Sequence, residues 1–317
     1  MDAKRETLLT RLLTVLTGAS EETKGFTYTL LGTILFSSKG VLVKLVYAYG
    51  VDSITILAFR MLFAIPFFAF VLYRESNRTG LTPVHSKDYL AVVLLAFIGY
   101  YLASFFDFWG LEYLSASMER LVLFTYPALV LLLSFLFLGK KAHSLELYAV
   151  ALTYAGILLA FLPDAESNGQ KSFLGAALVF LSALAYSVYL IGSGQMIPKL
   201  GSRRFTALLM LWSGGFVLVH FFLKKEVSSI FLQPWPVYAY GFALGFLTTV
   251  LPAFLTTAGI QRIGSNKASI AGSAGPIFTL FLSACLLNEE ITWENLGGTA
   301  LVLSGVLLLS RKKKIAV

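Results

Sequence analysis

Apolar residues in this chain come in long blocks, separated by short polar stretches that hold most of the charges. A helix rises 1.5 Å per residue, so about 20 residues cross about 30 Å of hydrocarbon. By that measure the pattern predicts ten helical spans, at residues 26–49, 53–73, 88–111, 116–138, 145–162, 173–196, 204–223, 235–261, 266–287 and 293–310. The connections are short, and none is long enough to hold a soluble domain. Residues 1–25 read as a cytoplasmic tail. Leu8, Leu9, Leu12, Leu13 and Leu16 fall at helical spacing there, which fits either a short helix lying on the membrane surface or a frayed segment.

The blocks repeat. Residues 89–161 align without a gap on residues 238–310 at a shift of 149, with 17 identities, nine of them Leu on Leu. Apolar composition supplies the leucines cheaply. The other eight are Tyr89, Phe97, Phe105, Gly110, Pro127, Ser134, Ala151 and Gly156, each matched 149 positions on. They indicate a duplicated unit. The units are 26–163 and 173–310, joined by a linker at 164–172 and followed by a basic tail at 311–317. Each holds five spans. An odd number inverts the second unit, so the expected fold is an all-α polytopic membrane protein of two five-helix inverted repeats.

Composition narrows the class. Hydrophobic residues make up 57% of the chain and charged residues 13%, which excludes an ordinary soluble domain. A net charge of +8 suggests nucleic acid in a soluble protein. Here the basic residues lie in loops between spans, where they set topology. With the N-terminus inside, 18 Lys and Arg fall on the inner side and three on the outer, while Lys39, Lys44, Arg60 and Arg120 lie within spans. Both termini are therefore expected in the cytoplasm. One Cys and three scattered His give no disulfide framework and no metal signal, and no phosphate-binding loop occurs. No cofactor, catalytic group or nucleic-acid partner is expected.

Several local patterns add a resemblance. They are FSSKGVLVK in the first span, LAFRMLFAIPF in the second, Pro127 and Pro276 within the fourth and ninth, and GILLAF and GVLLLS closing each half. In this order the chain resembles the drug/metabolite transporter superfamily, EamA type, over residues 26–310. That family usually writes the turn after the Pro-containing span as Leu-Gly-Glu. Glu289 keeps the Glu, whereas the first half has Lys140. The resemblance implies a central cavity ringed by spans 1–4 and 6–9, buttressed by spans 5 and 10. It also implies export of a small metabolite.

Charge within a bilayer costs at least about 2.5–3.5 kcal/mol per central Arg, Lys or Asp, so such residues are candidate site residues by default. Lys39, Arg60, Asp107, Glu119 and Arg120 all come from the first unit and fall in the outer half of the membrane. Their repeat partners are Val188, Leu209, Thr256, Ala268 and Ser269, so the second copy is uncharged. The expected site is a charged wall facing a second wall of Tyr186, Tyr189, Thr248, Thr249, Thr256 and Ser273. Two structural alternatives stand beside it. Lys44 and Arg60 reach helix-end carbonyls, or Asp107 pairs with Arg120 to pin the third and fourth spans. Glu119 and Arg120 point about 100° apart on one helix. Pro127 and Pro276 each remove a backbone hydrogen bond at matched positions and are expected to act as hinges.

Four basic groups against two acidic ones favour a substrate with an anionic part, such as an amino acid or organic anion. The expectation is a secondary transporter working by alternating access in the plasma membrane, a bacterial inner membrane. It would act as a monomer or homodimer in the lipid bilayer, coupled to a proton or a counter-substrate. The rivals are an exporter of lipophilic cations that uses Glu119, a membrane-embedded enzyme, and a channel.

Overall fold

A computed structural model describes residues 20–77, 85–138, 144–272 and 274–311. The expected surface helix of the N-terminal tail, Lys140 and Ser273 lie outside the described residues. Within them no strand occurs. The helices are α1 (Glu21–Tyr47), α2 (Ser53–Ser76), α3 (Ser86–Gly110), α4 (Ala116–Phe137), α5 (Ser144–Glu166), α6 (Gln170–Leu200), α7 (Ser202–Lys224), α8 (Trp235–Ile263), α9 (Gly275–Leu287) and α10 (Trp293–Arg311). The first eight are long and apolar enough to cross a membrane. The next, α9, is a shorter apolar helix of 13 residues, and α10 has 19. The protein is thus an all-α polytopic membrane protein. Polar residues just ahead of the blocks start several helices. Ser20, Asp52 and Ser115 each accept a hydrogen bond from the backbone N–H three residues on.

The sequence pattern predicts a break near residues 262–265, but helical conformation continues from Leu251 to Gly272. This stretch is not one straight rod. Thr256 lies against Gly32, and Gly272 lies against Thr33, the next residue of α1. A straight helix would separate positions 256 and 272 by about 24 Å. The chain therefore turns back between them, near the expected place. The expected linker is mostly helical as well. Helix continues to Asn168, Gly169 (φ 55°) turns the chain, and α6 starts at Gln170.

Helix pairing follows the duplication. The most extensive pairs are α1 with α8, α5 with α10, α3 with α6 and α2 with α7, and α4 also meets α9. Exchanging the halves turns the α1–α8 pair into the α6–α3 pair and maps each of the others onto itself. Direction completes the symmetry. Ala160 faces Gly298, Gly156 faces Leu301 and Thr153 faces Gly305, so α5 and α10 run antiparallel. These two helices are repeat equivalents, so the halves are inverted. Gly156 and Gly298 make the contact possible, because a Cβ on Gly298 would lie 2.4 Å from the Gly156 carbonyl oxygen. Across the bundle, Phe59, Phe63 and Phe67 of α2 meet Tyr238, Phe242 and Phe246 of α8 at one-turn intervals.

Four irregularities mark the helices near the bundle centre. A π-helical segment runs through Phe97–Leu102 in α3 and another through Phe246–Val250 in α8, at repeat-equivalent positions. Such segments concentrate at functional sites. α1 is interrupted at Ser38, whereas α6 is continuous through the equivalent Ser187. α4 is interrupted at Phe124 and Thr125. The expected mid-helix kinks at the two prolines are corrected by this last feature. Pro127 and Pro276 sit in the first turn of the helical segments Tyr126–Leu138 and Gly275–Leu287. A missing N–H costs no hydrogen bond there.

Candidate functional site

The break in α1 places Lys39 at the start of a new helical segment, with its side chain turned into the bundle. Lys39, Arg60, Asp107, Glu119 and Arg120 are all buried, none more than 4% exposed. The Lys39 ammonium donates to Asp107 Oδ2 and, at 3.1 Å, to Glu119 Oε1. Three helices, α1, α3 and α4, thus meet at one cation. Gly40 allows the approach, since a Cβ there would lie 2.9 Å from Glu119 Oε2. Asp107 Oδ1 has no hydrogen-bond partner. The alternative of an Asp107–Arg120 pair is not realised, because Asp107 turns to Lys39.

Arg120 takes a different environment from its neighbour Glu119. Its guanidinium lies over the rings of Phe36 and Phe124, 4.8 and 5.1 Å from their centroids. One terminal nitrogen reaches Ser37 Oγ at 3.4 Å, and Nε has no partner. Among the described residues no carboxylate forms an ion pair with it. Gly275 packs against the same end of the guanidinium, as a Cβ there would lie 2.7 Å from its terminal nitrogen and 3.3 Å from Ser37 Oγ. Tyr126 and Tyr186 are within its electrostatic range. The rings of Tyr126, Tyr186, Tyr189 and Tyr100 follow one another at 5.2–5.5 Å between centroids.

Arg60 is anchored by neutral groups. Its Nε donates to Thr249 Oγ1 at 2.8 Å, and a terminal nitrogen donates to Ser104 Oγ at 3.3 Å. Phe108 lies beneath it at 5.4 Å. Thr249 belongs to the π segment of α8 and Ser104 follows the π segment of α3, so Arg60 clamps the two irregular stretches. Its surroundings fit the structural alternative, though the partners are hydroxyls and not helix-end carbonyls. Lys44 lies elsewhere, within range of Glu112, Asp164 and Glu289.

The expected second wall is only partly assembled. Tyr186 stands beside Tyr126. Tyr189 packs on Gly99, where a Cβ would lie 2.0 Å from its own Cβ. The Thr248 hydroxyl bonds its own helix at the Leu244 carbonyl. Thr256 lies against Gly32, seven residues and about 10 Å along α1 from Lys39. His220 bonds the Tyr101 hydroxyl at 3.0 Å beside a separate cleft of about 330 Å³ that includes Asp52, Trp109 and Lys225.

Sequence reasoning missed Phe36, Tyr100 and Tyr126 as neighbours of the charges, and Ser37, which stands next but one to Lys39, as a partner of Arg120. Glu289 was read only as a turn residue. Its carboxylate accepts from the backbone N–H of Ala116 at 2.7 Å and of Ser117 at 3.3 Å, and from the Ser117 hydroxyl at 2.6 Å. It caps the N-terminus of α4 from the other half of the molecule, where a carboxylate offsets the unpaired N–H groups and the helix dipole. The signal was present in sequence, as Ser115, Ala116 and Ser117 mark a helix start.

Apolar helices in two exchanged halves, closed around buried charges, define a two-repeat polytopic membrane bundle. The chain belongs to the EamA-like transporter family, whose model matches residues 23–162 and 173–311. It is a multi-pass membrane transporter by that membership. An uncharacterized transporter of Bacillus subtilis (strain 168), YcbK, is 29% identical over 90% of this chain and 93% of its own length. An uncharacterized inner membrane transporter of Salmonella typhimurium, YicL, is 25% identical over 90% of this chain and 95% of its own. A solved crystal structure shares the fold at a TM-score of 0.62 and 17% identity, covering 92% of this chain and 99% of that one.

Proposed function

We propose that this protein is a secondary transporter that exports a small polar metabolite with an anionic group, such as an amino acid or organic anion, by alternating access. Arg120 supports this reading most directly. It is a buried guanidinium with an unpartnered Nε and no paired carboxylate among the described residues. A carboxylate arriving beside it would complete a charge-assisted pair in a dry site, the strongest kind of hydrogen-bonded recognition. Ser37 lines the same place, with Tyr126 and Tyr186 within range. Lys39 is already committed to two acids, and Arg60 to hydroxyls, so substrate charge falls to Arg120. A proton or a counter-substrate drives the cycle. The rival export of lipophilic cations needs a free Glu119, and that carboxylate is held by Lys39.

The test uses purified protein in liposomes loaded with a panel of labelled carboxylates, their amides and lipophilic cations. Saturable efflux of a carboxylate but not its amide is expected. Arg120→Gln should lower it by about 100-fold, as expected for removing one buried charge-assisted contact. Equal efflux of acid and amide, or full activity in Arg120→Gln, would reject the reading.

A further inference from the structure

The Lys39 cluster holds an imbalance that the anion site does not use. One ammonium faces two carboxylates, and all three side chains are buried. Asp107 Oδ2 and Glu119 Oε1 both accept from the one Lys39 ammonium, which holds the two carboxylates side by side. Neither ionised carboxylate has a hydrogen to give, and Asp107 Oδ1 is left without a partner. Two carboxylates at such range do not readily both stay ionised away from water. A single proton between them supplies the missing donor.

We propose that Asp107 and Glu119 together bind one exchangeable proton, held between their carboxyl groups beside Lys39. Among the described residues, the side chains around the pair are engaged elsewhere. From α1, Lys39 already bonds both acids, while the Tyr47 hydroxyl donates to the Phe108 carbonyl oxygen. From α2, Arg60 bonds Thr249 and Ser104. From α4, Arg120 turns to Ser37 and two rings. Tyr100 and Tyr186 stand beside Arg60 and Arg120 respectively. From α9 come Gly275 and Thr279, which carry no charge, and the Thr279 hydroxyl donates to the Ser37 carbonyl oxygen. The repeat-equivalent positions of the two acids are Thr256 and Ala268, so the second half holds no copy of the pair. A proton here joins α3 to α4, and its release leaves Lys39 as their only tie at this point.

The inference deepens the transport function proposed above but is tested without substrate. Infrared difference spectra of the full-length protein in detergent, taken between neutral and alkaline medium, read protonated carboxyl groups directly. A buried carboxyl C=O band that shifts in heavy water is expected in the wild type. It should disappear in Glu119→Gln, and disappear or move in Asp107→Asn. Both amides imitate the protonated form and are expected to leave the thermal unfolding temperature within a few degrees of wild type. The absence of such a band in the wild type overturns the inference even if a variant fails to fold. So does a band that neither variant changes. A proton found here with no transport of any panel compound would count against the transport function alone.

Discussion

The two halves share one backbone plan and differ in what they do with charge. In the first half α1 breaks at Ser38 and turns Lys39 inward, to two acids from α3 and α4. In the second, α6 runs straight through Ser187, whose hydroxyl bonds the Ala183 carbonyl of its own helix at 2.7 Å. Val188, in the place of Lys39, is 36% exposed. Duplication therefore supplied a symmetric scaffold, and the chemistry settled on one side of it. Discontinuous helices in transporters present backbone and charge to a ligand near the midplane. Here only one of the two equivalent helices, α1 and α6, has taken that form.

The sharpest way to break the comparison is to remove the charge at its centre. Lys39→Met should destabilise the protein by about 3–5 kcal/mol, because it leaves the buried negative charge of the two acids without its cation. Adding Asp107→Asn and Glu119→Gln should recover most of that loss. Thermal unfolding in detergent checks both, and a single variant as stable as wild type would show that the triad is not energetically coupled. The shared scaffold should answer differently. Gly298→Val places side-chain atoms against the Gly156 carbonyl and should cost about 1–3 kcal/mol by overpacking. No substitution at the acids should rescue it.

Two smaller effects probe the end of the bundle that carries Asp52 and Glu289. Glu289→Ala removes the cap on α4 and should cost about 1 kcal/mol, a typical value for a lost cap. Hydrogen exchange at Ala116 and Ser117 should rise several-fold, while exchange in α10 stays unchanged. Asp52 caps α2 and pairs with Lys225 at 2.8 Å. Burial pushes its carboxyl upward, but hydrogen bonds from Lys225 and Thr55 prevail and hold it below the ordinary value. Its contribution is thus fully present above the usual carboxylate range and is lost as pH falls through the lowered value. Asp52→Ala should cost about 0.5–1 kcal/mol at neutral pH and nothing in strong acid. Unfolding measured against pH in both proteins gives the comparison.

The scaffold was legible in the sequence because hydrocarbon thickness and duplication act on long stretches. Twenty apolar residues and a shift of 149 survive many local substitutions. The five buried charges were legible for the same reason, since each stood out against an apolar block. Their pairing was not. Lys39 lies 68 residues from Asp107 and 80 from Glu119. Helical spacing reports only neighbours three or four residues away, and on that test Lys39 looked alone. Thr249 was legible as part of the facing wall, but its bond to Arg60 and the part of Ser104 were not, because a π segment changes which residues face inward and leaves no mark in the hydrophobic pattern. Pro127 and Pro276 were seen, but the interruptions just ahead of them depend on α4 and α9 packing against their neighbours.

Glu289 has a consequence for time. A carboxylate from one half holds the first turn of a helix in the other, through three hydrogen bonds. Lys140 occupies the equivalent position in the first half, and a lysine has no acceptor with which to cap a helix start. If α4 and α9 part during a cycle, this contact must open first, at a cost of about 1 kcal/mol and so a population ratio of about five. Under the alternating access proposed above, such a bias leaves the direction of net flow to the gradients. It would set how long the empty carrier dwells with this end shut.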